Sequence, residues 1–293
     1  MQSLFLQQVA NGLIIGSIYC LMAVGLTMIF GVMKISNFAH GEFLMLGSYF
    51  AIFTTLYFTG WVGWISAMFI AAIGVGLIGY LIEKWLFRPL VLRDLEIDIL
   101  MLSIGLSIFI ANVAHVLFGS SPRMLVDPFK SQNIQLFFFS TSLIRIFSFF
   151  LSVLAIVVLQ VFLTKTKTGT AIRATSQNRN ASMLMGIDTS LIFALTFVIG
   201  SAFAGLSGVL YGTILTISPT MGGLPTLKAF AITIMGGMGS IKGAIYGGLI
   251  LGVAETLGGN YISMDYKNAI GFIIIIVILL FLPEGLFGKG KRR

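Results

Sequence analysis

The chain is built from a succession of apolar runs, each close to the length that crosses a bilayer. A helix spanning the hydrocarbon core needs about 20 consecutive apolar residues. Runs of that kind fall at 9–33, 38–58, 62–85, 99–118, 143–163, 189–215, 241–257 and 268–282, with a shorter, Gly-broken one at 226–238. In lipid every backbone N–H and C=O must be satisfied internally, which leaves helices and closed barrels. Barrel strands would give short alternating patterns rather than these runs. The expected fold is an all-α polytopic transmembrane helical bundle of eight or nine segments, with 226–238 as a half-helix or re-entrant element. Only 10% of residues are charged, against about 25% in soluble domains. The polar stretches between runs are roughly 20 to 25 residues at most, too short to fold alone. Residues 1–293 therefore read as one membrane domain.

Orientation follows from where Lys and Arg fall. With the N-terminus outside and nine alternating segments, one side holds Lys34, Lys84, Arg88, Arg93, Lys165, Lys167, Arg173, Arg179, Lys242, Lys289, Lys291, Arg292 and Arg293. That is 13 of the 18 basic residues. The other side holds Arg123, Lys130, Arg145, Lys228 and Lys267. The C-terminus is then expected in the cytoplasm. The net charge of +8 is a topology signal. Basic residues dispersed among short loops do not make a nucleic-acid surface, and Lys289 to Arg293 suit anionic lipid headgroups. Residues 1–8 lack the basic region of a cleaved signal peptide, so the first run reads as a retained helix.

Little in the sequence suits chemistry. Cys20 stands alone and is read as a small packing residue; His40 and His115 match no ligand spacing. No phosphate loop, H-E-x-x-H or CxxC pair occurs, and no Ser/His/acid set can be assembled. Neither an enzyme nor a bound cofactor or metal is expected, and any ATP hydrolysis belongs to separate subunits. Many glycines sit four apart, as in Gly12/Gly16, Gly208/Gly212, Gly239/Gly243/Gly247 and Gly248/Gly252. Small residues at that spacing let helix backbones approach closely in lipid.

Two stretches stand apart. Gly31 to Glu42 (GVMKISNFAHGE) interrupts the first two runs, and Pro219 to Pro225 with Gly236, Gly237 and Gly239 interrupts the second half. Irregular backbone at membrane depth must be buried in protein or line a watery cavity. One such stretch in each half is the pattern of a transporter whose broken elements frame its site. Asn37, His40 and Glu42, with Gly236, Gly237, Gly239 and Glu255, are then substrate-pathway candidates. The plainer alternative has Asn37 capping the next helix and Glu42 in its first turns, where the positive helix end favours an acid. Glu255 is an acid inside an apolar run, a functional hypothesis by default, weakened if it lies near the outer end of its helix.

The loop 164–188 carries four basic residues and no acid between Lys165 and Ile187. It has apolar positions enough for one or two short helices, with Gly186 as a left-handed cap and Asp188 capping the next span. Such a pair docks either on the membrane surface or in a groove on a cytoplasmic partner; the residues alone do not choose.

The run Gly25 to Gly47 resembles the signature of the high-affinity branched-chain amino-acid permease family, and urea and amide permeases of the same superfamily are similar there. Gly169 to Ala174 with Ala181 and Gly186 resembles that family's cytoplasmic coupling loop. Lys228-Ala-Phe, Gly236 to Gly243, Gly247-Gly248 and Gly252 to Glu255 resemble its second-half signature, and Phe281 to Gly288 its ending. The likeness is to the shorter of two homologous permeases. It implies a subunit of an ATP-binding-cassette importer working by alternating access. The implied partners are a second related permease, two cytoplasmic ATPases and a periplasmic or surface binding protein. It also implies that Gly169, Arg173, Ala174, Ala181 and Gly186 belong to the ATPase-coupling element. The loop departs from many relatives at Thr175-Ser-Gln-Asn. An ion-coupled secondary transporter would share the broken helices but work without ATP.

Overall fold

The computed structural model describes residues 2–125, 133–136 and 139–288. Lys130, Lys289, Lys291, Arg292 and Arg293, counted above for orientation, lie outside the described residues. All nine expected segments contain a helix: α1 (Gln2–Met33), α2 (His40–Tyr57), α3 (Gly60–Ile82), α5 (Glu96–Phe118), α6 (Leu143–Lys165), α9 (Thr189–Gly212), α10 (Gly223–Gly236), α11 (Ile241–Tyr261) and α12 (Lys267–Phe281). Five of these stretches, at 4–33, 60–91, 96–118, 143–165 and 189–212, are long and apolar enough to cross a membrane.

The third span runs longer than its apolar window. From α3 it continues through a π turn, Glu83–Phe87, into the short α4 (Arg88–Val91). Glu83 is buried there, and Arg88 grips it with two bonds: Nε to Oε1 at 3.0 Å and Nη2 to Oε2 at 2.6 Å. This bidentate pairing lets the helix carry charges past the point where hydropathy falls. A second departure is a small antiparallel hairpin, β1 (Asn133–Leu136) with β2 (Phe139–Ser142), where no strand was expected. It sits near the N-terminal end of α1, where Gln7 Nε2 donates to the Ser140 carbonyl at 3.4 Å.

α1 is the central helix. It runs antiparallel to α11, so that Gly12 meets Val253, Gly16 meets Gly248 and Leu249, and Cys20 meets Ile245 and Gly248. A Cβ on Gly12 would fall 2.6 Å from the Val253 Cα, and one on Gly16 would fall 2.9 Å from the Gly248 carbonyl oxygen. The four-residue glycine spacing therefore brings the two backbones together, as small residues do in lipid. On its other side, Gly25 of α1 faces Gly200 of α9, while Gly47 of α2 faces Gly205 of α9. Ser48 Oγ donates to the Gly208 carbonyl at 2.7 Å.

The loops assigned to one side by charge do share one end of the bundle. Lys34, Asp94, Glu96, Thr175 and Arg179 line a single cavity there. Gly31 touches Gly239 at the same end, and Leu286 and Phe287 donate backbone bonds to the carbonyls of Met235 and Gly236. This is the basic end. Lys228 does not join the opposite charge set: it is 6% exposed, inside α10.

Candidate functional site: two broken helices meeting inside the bundle

After Met33 the chain turns on Lys34, at φ 59°, and doubles back along α1. α2 thus begins beside the middle of α1: His40 Nε2 donates to the Met22 carbonyl at 3.1 Å. Met22 lies about 16 Å of helix from the Met33 end. α10 begins at the same level. The Gly41 amide donates to Thr226 Oγ1 at 3.0 Å, and Thr226 Oγ1 donates to the Gly222 carbonyl at 2.8 Å. The Phe38 and Phe230 rings stack with centroids 4.5 Å apart. α10 has 14 residues, about 21 Å, too short for a hydrocarbon core of about 30 Å. It is the half-helix that its length suggested. Beyond it, Gly237 and Gly239 hold the left-handed φ values of 95° and 84° that turn the chain into α11. The two irregular stretches lie against each other from Gly41 and Thr226 at mid-depth to Gly31 and Gly239 at the basic end.

Asn37, His40 and Glu42 are all buried. Asn37 does not cap α2; the helix starts after Ala39, which makes no side-chain cap. Asn37 Oδ1 instead accepts the Ala39 amide at 3.1 Å and closes the preceding turn. Ser107 of α5 donates to Glu42 Oε1 at 3.1 Å. Gly222 makes room for the carboxylate: a Cβ there would stand 2.6 Å from Oε2. Asn37 Nδ2, His40 Nδ1 and Glu42 Oε2 have no hydrogen-bond partner. Three buried polar atoms left open within six residues are uncommon, since buried polar groups are nearly always paired. The start of α10 adds the Gly223 and Leu224 amides as donors, because first-turn amides have no intrahelical acceptor, while Pro225 has no N–H and the Thr226 amide donates to the Gly222 carbonyl. Gly223 is exposed there, with nothing within 4 Å of its Cβ position.

Glu255 belongs to a different cluster. It is 1% exposed and well inside α11, not at a helix end open to water. Its Oε2 accepts from Lys228 Nζ at 2.8 Å and from the Tyr19 hydroxyl at 3.0 Å, while Lys228 Nζ also donates to the Tyr19 oxygen at 2.8 Å. The triad fastens α10 to α11 and α1. No hydrogen bond or ion pair among the described residues joins it to Glu42. α10 links the two groups, with Thr226 on α2 and Lys228 on α11. Gly236, Gly237 and Gly239 lie away from both, at the basic end, where the Gly236 backbone packs against that of Gly243.

The polar loop forms the two short helices expected, α7 (Lys167–Gln177) and α8 (Arg179–Leu184). Each has a side-chain cap: Thr166 Oγ1 accepts from the Gly169 amide at 2.9 Å and Asn178 Oδ1 from the Ala181 amide at 3.0 Å. Gly186 ends the pair at φ 80°, and Asp188 Oδ1 caps α9 through the Ser190 and Leu191 amides. Arg173, Ala181 and Gly186 are exposed, Ala174 half-buried, and Gly169 buried against the Phe162 carbonyl at the end of α6. The tip is apolar and bare: Leu184 is 89% and Met185 83% exposed.

The site draws on Tyr19, Ser107, Thr226 and Lys228, none of which the sequence singles out as a site residue. Only Lys228 carried a signal, as a base within an apolar run.

The sequence matches, over residues 8–279, the family described as branched-chain amino acid transport system / permease component. The chain belongs to this permease family. It is 38% identical to the high-affinity branched-chain amino acid transport system permease protein LivH of Escherichia coli (strain K12), over 97% of this chain and 96% of the relative. It is 37% identical, with the same coverage, to the corresponding protein BraD of Pseudomonas aeruginosa. The probable LivH of Methanocaldococcus jannaschii is 31% identical over 97% of this chain and 92% of its own length. No solved structure matches the chain. Among the described residues no group of three metal-ligating side chains occurs. As a member of this permease family the chain is a membrane translocation component.

Proposed function

We propose that this permease moves branched-chain or other small neutral amino acids into the cytoplasm by alternating access, as one subunit of an ATP-binding-cassette importer in the inner membrane. The convergence of α2 and α10 at mid-depth carries the reading. A solute with both charges finds complementary groups there: the open Oε2 of Glu42 for an ammonium, and the first-turn amides of α10 for a carboxylate, as helix N-termini favour. The basic end faces the cytoplasm, following the excess of Lys and Arg. Its loop 164–188 then meets one of two ATPase subunits through Arg173, Ala174, Ala181 and the Leu184–Met185 tip, with Gly169 and Gly186 shaping the two helices. A second homologous permease completes the pathway, and a periplasmic or surface binding protein delivers solute. Gly236, Gly237 and Gly239 act as the hinge of the half-helix, and Glu255 holds it in place.

Reconstitution tests this. Proteoliposomes holding both permeases and the ATPases, supplied with binding protein, accumulate leucine only when ATP is hydrolysed. Uptake driven by an ion gradient without the ATPases would refute the reading.

A further inference from the structure

The basic end holds a cavity of about 850 Å³ between the end of α1, the start of α5 and the junction of α7 with α8. That is within the range of small-molecule sites. One wall is apolar, formed by Phe30, Val32, Leu100 and Phe193. Lys34 and Glu96 also line it, and neither has an ion-pair partner among the described residues. Two further lining residues each hold one unbonded polar atom, although Arg179 is half-buried and its Nη1 also donates to the Val91 carbonyl at 3.4 Å. Thr175 is 2% exposed with its Oγ1 unbonded, and Arg179 Nε is unbonded although its Nη1 lies 3.6 Å from Asp94 Oδ1. The guanidinium of Arg179 sits over the Phe193 ring, 5.2 Å from the centroid. Thr175, Ser176 and Gln177 line this cavity.

The structure assigns to this cavity a binding site for a free α-amino acid with an apolar side chain. Unpaired charges of opposite sign on one cavity suit a molecule that carries both, whereas a simple anion or cation would leave one of them unanswered. The Thr175 hydroxyl and Arg179 N–H add donors for a carboxylate, and the Phe30–Phe193 wall takes the side chain. The inference rests on the proposed function for its sidedness: the occupant is the transported solute itself, returning from the cytoplasmic face. Bound there it ties α7 and α8 to α1 and α5. Accumulated solute therefore holds the coupling pair still and slows further import.

The assembled transporter carrying Gln177→Cys tests the site directly, read by labelling with a membrane-impermeant maleimide. Leucine at twice its Kd slows labelling about threefold, as 1 + [L]/Kd requires. Isocaproate and isoamylamine, each bearing one of the two charges, give no protection. Lys34→Gln or Glu96→Gln abolishes protection by leucine. In proteoliposomes, preloaded leucine lowers the ATP-driven initial rate relative to empty vesicles, and Glu96→Gln brings that ratio back towards one. Labelling at equal rates with and without leucine, or equal protection by isocaproate, overturns the proposal. If empty vesicles take up no leucine under ATP, the proposed function fails instead, while labelling still decides the site.

Discussion

Replacing Glu255 by Leu should open the seam between α1 and α11. The carboxylate is 1% exposed and accepts from Lys228 and Tyr19 at 2.8 and 3.0 Å. Deleting it strands the Lys228 ammonium, itself 6% exposed, among apolar groups. Breaking a buried ion pair from one side costs about 3–5 kcal/mol, whereas replacing both partners with apolar residues is often close to neutral. The double variant Lys228→Met with Glu255→Leu loses the Tyr19 bond as well, about 1–3 kcal/mol for a buried hydroxyl left unpaired. It should therefore be the more stable of the two. The chain supplies its own probe. Its single cysteine, Cys20, is buried in the same seam, with Sγ donating to the Ile245 carbonyl at 3.0 Å. The rate at which a thiol-reactive dye labels Cys20 reports how often the seam opens. At about 1.4 kcal/mol per decade, Glu255→Leu should raise it by two to more than three orders of magnitude. Labelling of Glu255→Leu at the wild-type rate, or of the double variant as fast as the single, would show that the triad does not hold the seam.

Glu42→Gln keeps the size of the side chain and an acceptor for Ser107 but loses the charge. A hydrogen bond to a charged group contributes about 1.5–3 kcal/mol, so ATP-driven uptake should fall by one to two orders of magnitude while the complex elutes intact from gel filtration; normal uptake removes Glu42 from the pathway. Leu184→Glu with Met185→Glu, and separately Arg173→Glu, should abolish co-purification of the ATPases and leave Cys20 labelling unchanged, since all three side chains are exposed. Gly252→Leu would drive a side chain into the α1 backbone at Gly12 and Gly16, an overpacking cost of about 1–3 kcal/mol or more. Gly105→Ala, where nothing lies within 4 Å of the Cβ position, should be tolerated or gain up to about 1 kcal/mol from helix propensity; thermal unfolding of the two variants separates them.

The helices were legible because lipid demands long apolar runs, and each run found its helix. What lay within three residues was legible too. Gly186 and Asp188 cap as expected because their partners are close in sequence: the Gly186 amide donates to the Met183 carbonyl, and Asp188 accepts from the Ser190 and Leu191 amides. Asn37 shows how close that margin is: its side chain does bond a nearby amide, but the helix begins two residues later, so the bond closes a turn instead of capping α2. The third span was cut short because hydropathy falls at Glu83, and nothing local announces that Arg88 would take both its oxygens. The Tyr19–Lys228–Glu255 triad was illegible for a stronger reason. Its members are separated by 27 to 236 residues, and only the antiparallel packing of α1 on α11 brings them together. Lys228 was counted with the outer charges because a base near the end of an apolar run is ordinarily in water.

Taken together, these contacts make α10 the element through which the two halves are coupled. It is too short to cross the membrane, so its ends cannot rest in lipid, where unsatisfied backbone groups cost several kcal/mol each. Its C-terminal end is fixed, because the carbonyls of Met235 and Gly236 accept from Leu286 and Phe287. Its middle is fixed to α11 by Lys228. Among the described residues the Thr226 bond is the one hydrogen bond from its N-terminal end to α2, where Gly41 packs on Gly222 beside the open Oε2 of Glu42. An element satisfied at one end and open at the other responds to whatever fills the open end. A polar solute that completes the first turn of α10 and the Glu42 carboxylate binds in proportion to how well those two groups are aligned. Any shift that separates α2 from α10 must by linkage weaken its grip. The same linkage gives alternating access its substrate dependence without requiring a large rearrangement of the glycine-packed helices around it.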